Sequence, residues 1–94
     1  MQITDIKIRK LFDNDPLRAI VSVTFDNALA VHDIKVIHTQ SSDHYFVVMP
    51  SHKGPDGTFH DIVHPINSVS REKLESAVLE AYHVKLAAEQ EIKE

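Results

Sequence analysis

The sequence predicts a small α+β domain: an antiparallel β-sheet with a β-hairpin, followed by a single C-terminal α-helix. Three observations carry this. Apolar residues alternate with polar ones in "LRAIVSVTFD" at 17–26, within a first half made of short β-prone runs. Both glycines fall inside one tetrapeptide, "GPDG" at 54–57. From Ser68 onward the apolar period lengthens from two to between three and four.

Residues 3 to 12 form the expected first strand. Ile3 is out of phase with Ile6 and Ile8, which points to a late start or a bulge. "DNDP" at 13–16 is a turn, because Asp and Asn bond back to their own backbone and Pro16 sets φ. "LRAIVSVTFD" then alternates, with Leu17, Ala19, Val21, Val23 and Phe25 on one face and Arg18, Ser22 and Thr24 on the other. After "DNA" at 26–28, "LAVHDIKVIHT" is rich in β-branched residues without clean alternation, as in a strand covered on both faces. "QSSDH" breaks the chain before "YFVVMP", a short apolar strand stopped by Pro50.

"GPDG" is turn chemistry, with Pro at the second position and Gly free to take positive φ. Flanked by "VVMPSHK" and "TFHDIV", it predicts the bend of a hairpin, and Pro65 prevents that strand from continuing. In the helix, Leu74, Ala77, Val78, Ala81, Tyr82 and Leu86 form one apolar stripe. Ser68 or Ser70 is the expected cap, with Glu72 near the positive end of the helix dipole. Residues 1–86 make the domain, and 87–94 a polar tail that frays.

A chain of 94 residues builds only one small core, so a second subunit is favoured. Composition is ordinary for a globular protein, at 43% hydrophobic and 26% charged. No apolar run approaches a membrane span, and "MQITDIKIRK" lacks the continuous apolar stretch of a secretory signal. The absence of cysteine excludes disulfides and fits a cytoplasmic protein. Net charge is −4 with histidine neutral, and protonating all seven histidines would carry it to +3. A general basic field is therefore missing at neutral pH, and nucleic-acid binding would need a local patch.

Several segments together resemble the SpoVG family: "ITDIKIRK" at 3–10, "AVHDIKVI" at 30–37, "FVVMPS" at 46–51, "PDGTFHDIVHPINS" at 55–68 and "AVLEAYH" at 77–83. The resemblance covers about the first 84 residues. It implies a homodimer formed by pairing or exchange of β-structure. It also implies a role in septation, sporulation and control of gene expression, through binding to DNA or RNA and without catalysis. Where the family carries basic residues around the PDG turn, this chain has His52, Lys53 and His60. Only one of these is permanently charged, so binding through the loop should be weaker at neutral pH and recover in mild acid.

The candidate nucleic-acid-binding residues are thus His52, Lys53 and His60 in the hairpin, with Arg71 and Lys73 at the helix start. Each also has a plain reading as solvated surface. Lys7, Arg9 and Lys10 form a second basic group, or else keep an edge strand soluble. Phe46, Met49 and Phe59 stack on bases or belong to the core. No metal or cofactor is expected: in "HDIVH" an extended chain sets His60 and His64 about 13 Å apart, too far to share one ion. No nucleophile motif, phosphate loop or carboxylate pair suggests an enzyme. The rival to a nucleic-acid regulator is a module that binds division or regulatory proteins, which the acid-rich helix would also suit.

Overall fold

In the computed structural model, which describes residues 2–92, four strands form one antiparallel meander. They are β1 (Ile3–Leu11), β2 (Leu17–Phe25), β3 (Leu29–Thr39) and β4 (His44–Val48), in that spatial order. β5 (Ser51–Lys53) and β6 (Phe59–Asp61) pair in a separate two-stranded ladder, and α1 (Ser68–Ile92) follows. This is the predicted α+β architecture. The helix reaches into the expected tail, whose last two residues lie outside the described residues.

One face of the sheet makes the core. Ala19, Val21 and Val23 of β2, with Ile34 and Val36 of β3, are fully buried against Val78 and Tyr82 of α1. Leu74, Val78, Tyr82 and Leu86 recur every four residues, so the stripe stays on one side of the cylinder as it crosses the sheet. Ile6, Ile8 and Leu11 of β1 pack against its margin.

Bulges account for three details of the strands, one as expected and two as corrections to the sequence reading. A register shift between Ile3 and Asp5 accounts for the dephased Ile3, as expected. In β2, a shift between Leu17 and Ala19 moves Leu17 off the core face, because Leu17 pairs with Ile37, the neighbour of inward-facing Val36. Arg18 thereby turns toward the helix, and its Nε donates to the Tyr82 hydroxyl at 3.3 Å. In β3, Val21 faces Ile34 while Val23 faces Val31, so two residues, His32 and Asp33, oppose Ser22 alone. Asp33 takes positive φ (63°) at this bulge. The broken alternation of "LAVHDIKVIHT" therefore comes from an extra residue, and the strand is covered on one face only.

Between β2 and β3, Asp26 and Asn27 both take φ of 52°, and Ala28 N–H donates to the Phe25 carbonyl at 2.9 Å. Positive φ at both central residues gives this tight turn the hand that matches the strand twist, and Ala28 completes a three-residue connection because Phe25 pairs with Leu29. The opposite end of the sheet is tied by His38. Its Nδ1 lies 2.9 Å from Asp15 Oδ1 and its Nε2 2.8 Å from Asp43 Oδ1, so it joins the β1–β2 and β3–β4 turns.

Candidate nucleic-acid interface

The hairpin owes its shape to its turn. Gly57 N–H donates to the Gly54 carbonyl at 3.0 Å, with Pro55 at the second position and Gly57 at φ 85°. Gly54 N–H donates to the Thr58 carbonyl at 2.7 Å and closes the ladder. A β-carbon on Gly54 would lie 3.2 Å from the His60 ring and from Asp56 Oδ1, so glycine permits that close approach. Asp56 Oδ1 accepts from the Thr58 amide at 3.1 Å and from its hydroxyl at 2.7 Å. The hydroxyl bond first, then the amide bond, holds the Asp56 carboxyl below its ordinary pKa.

His52 and His60 are direct cross-strand partners, with ring centroids 6.4 Å apart, and Lys53 opposes Phe59. All six strand residues are exposed. The Thr58 hydroxyl proton goes to Asp56, so its oxygen accepts from His60 Nε2 at 2.8 Å. His60 is thus drawn into a local acid–hydroxyl network, 4.0 Å from the Asp56 carboxylate. Among the described residues, His52 and Lys53 have no such tie. The strand ends at Asp61, sooner than Pro65 requires.

The helix begins differently from the sequence expectation. Its cap is Asn67, whose Oδ1 accepts from the Ser70 amide at 2.8 Å while its carbonyl accepts from Arg71 N at 3.1 Å. Ser68 and Ser70 already lie inside α1, so neither can cap it. Arg71 and Lys73 are exposed. Lys73 also lines an open groove of about 680 Å³ with Val63, Pro65, Ile66, Met49 and Leu74. The candidate residues therefore fall into two groups. His52, Lys53 and His60 share the hairpin, and Arg71 and Lys73 share the first turns of α1.

Of the three proposed stacking residues, Met49 is buried in the core at 5% exposure and is removed from the set. Phe46 pairs with Ile37 on the sheet face away from the helix, and Phe59 is exposed. Sequence reasoning missed a feature next to the site: Phe59, Ile62, Val63, Ile66 and Val69 are all exposed, Ile66 by 86%. Their spacing follows no single period, and only their common lack of cover reveals them as a surface.

The SpoVG family profile matches residues 1–84. The chain belongs to the SpoVG family. A relative from Clostridium acetobutylicum named "Putative septation protein SpoVG" is 55% identical over 93 residues, covering 99% of this chain and 95% of the relative. A protein of the same name from Clostridium beijerinckii is 54% identical over 89 residues, covering 95% of this chain and 96% of its own length. Another, from Caldanaerobacter subterraneus, is 56% identical over 82 residues, or 87% of this chain and 88% of that one. The SpoVG match takes in β1 to β6 and the apolar stripe of α1 up to residue 84.

Proposed function

We propose that this chain acts in septation and sporulation as a cytoplasmic, homodimeric regulator that binds DNA or RNA and catalyses nothing. The observation that carries the reading is the exposed hairpin. It displays Lys53 and His52 at the end of a rigid turn, and Arg71 and Lys73 stand exposed at the start of α1. Lys53, Arg71 and Lys73 take part in none of the ion pairs among the described residues, which leaves them available to phosphate. Local cations suffice despite a net charge of −4, because contacts within a Debye length of about 8–10 Å dominate.

An electrophoretic shift titration with short duplex DNA and with single-stranded RNA tests this. Log K should fall linearly with log salt, with a slope reflecting about two to four contacts per protomer, and Lys53→Glu should flatten it. No shift at low salt with either polymer refutes the reading.

The exposed run from Phe59 to Val69 favours a protein partner as well, and a second copy of this chain is the partner proposed. A core of this size gains most from a shared interface, and both β5 and β6 are edge strands with unpaired backbone groups. Light scattering on wild type and on Ile66→Ser should show a dimer weakened by the substitution. A monomer in both cases leaves division or regulatory proteins as the partner.

A further inference from the structure

The helix covers one face of the four-stranded sheet, and the other face has an organised chemistry of its own. Strand register places Lys7 opposite Ser22 and Lys10 opposite Ile20, which in turn faces Lys35. Arg9 shares the face, because its Nε donates to Ser22 Oγ at 3.0 Å. Four of the chain's ten Lys and Arg residues thus sit together. None forms an ion pair among the described residues. Asp5 and the bulged Asp33 flank the face, and among the described residues neither pairs with any of them.

Between and beside the cations lie apolar side chains that take no part in the core. Leu17, Ile37 and Phe46 form one cross-strand row, and Ile20, Lys35 and Val48 the next. The apolar members of these rows are half-buried and none packs against the core cluster. An edge strand kept soluble explains Lys7 and Lys10 on β1. It does not explain Lys35 on β3, an interior strand, nor an aromatic ring two residues from the end of β4.

We infer that this outer face is a second nucleic-acid contact surface, and that it takes a single strand, with Lys7, Arg9, Lys10 and Lys35 on phosphates and Phe46 beneath a base. The inference rests on the nucleic-acid reading above and adds to it where on the molecule a strand lies and in what form. Two terms select a single strand. Lys10 and Lys35 are two strands apart, about 10 Å, within the span of two or three nucleotides. The Leu17–Ile37–Phe46 row offers a flat apolar platform that an unstacked base can cover. A duplex keeps its bases stacked inside and gains nothing from that row.

Fluorescence anisotropy with a labelled single strand of about 12 nucleotides, and with the matching duplex, tests the assignment. The variants are Lys7→Gln/Lys35→Gln on the sheet, Phe46→Leu, and Lys53→Gln on the hairpin. Removing two sheet cations should weaken the single strand about 25-fold at 0.1 M salt and lower its salt slope by about 1.4. Phe46→Leu should weaken the single strand about fivefold or more without altering that slope and while leaving duplex binding unchanged, a pattern that loss of structure would not give. The duplex should respond to Lys53→Gln and not to the sheet variants. Binding that depends on Lys53 but ignores all the sheet variants overturns this proposal and leaves the hairpin reading standing. Binding of neither probe overturns both. If Phe46→Leu or the lysine pair instead turns a dimer into a monomer by light scattering, a second copy occupies the face and the proposal falls.

Discussion

Replacing Tyr82 by Phe isolates one polar contact in an otherwise apolar seam. The ring is fully buried between sheet and helix, with its centroid 5.8 Å from that of Tyr45, and its hydroxyl accepts from Arg18 Nε at 3.3 Å. That bond is the leading cause of the upward pKa shift of the Arg18 guanidinium. A hydrogen bond to a charged group contributes about 1.5–3 kcal/mol at good geometry. This one is long, and Arg18 keeps the Asp13 carbonyl at 3.0 Å and Asp15 at 3.5 Å, so the loss should be nearer 1 kcal/mol. For a domain of this size that is a fall in Tm of about 4–8 °C. Tyr82→Ala should cost about 3–5 kcal/mol, because it also removes the ring from the centre of the core. Thermal and urea unfolding followed by circular dichroism measure both, with the urea m-value of Tyr82→Phe unchanged. If Tyr82→Phe melts within a degree of wild type while Tyr82→Ala is severely destabilised, the ring carries the seam and the Arg18 contact contributes nothing.

Three further outcomes follow from the geometry. His38 is held above its ordinary pKa of 6.5, first by its bond to Asp43 and then by Asp15, so its contribution is complete below pH 6.5 and is lost as pH rises through the raised value. Asp15 is held below 3.8, first by Gln40 and then by His38, so its contribution fails only as pH falls through that lowered value. Tm should therefore decline from pH 6 toward 8 in wild type, and a scan of His38→Gln should lack that decline. Asn67→Ala should destabilise by about 1 kcal/mol through loss of the cap, read by denaturant midpoint, and Asn67→Asp should restore most of it. Gly57→Ala has room for its methyl group, whose nearest contact is Lys53 Cε at 4.0 Å, yet φ of 85° strains any side chain. Amide exchange in the hairpin should accelerate by about fivefold or more while the main sheet stays protected.

Elements whose signal is local were legible in the sequence. The GPDG hairpin, the period-four stripe of α1 and the alternating run of β2 all follow from neighbours within a few residues. The failures share a different cause. Leu17 and Arg18 exchange faces because of a bulge whose register is set by pairing with β3, information that β2 alone does not contain. "LAVHDIKVIHT" suggested burial on both faces, since an extra residue and a second buried face break alternation alike. Asn67 was passed over as a cap because the boundary was placed one or more residues late, and caps are specific to a single position. In the candidate site, the types and exposure of the hairpin cations could be read directly. The Asp56–Thr58–His60 network could not, because it depends on the side chains that the turn brings together.

The distribution of charge bears more on function than its sum. Glu72 and Glu80 lie on the exposed side of α1, while Lys7, Arg9, Lys10 and Lys35 lie on the sheet face turned away from it. Glu80 lines the same open groove beside β1 as Lys7 and Arg9, whereas Glu72 lies outside it. A net charge of −4 opposes indiscriminate association with anions over the rest of the surface. Adding a cation to the helix outside that groove, as in Glu72→Lys, should therefore raise nonspecific retention on heparin without changing the salt slope for a single strand on the proposed sheet surface. A slope that steepens by one or more would show that the strand reaches the helix, and that the two faces work as one surface.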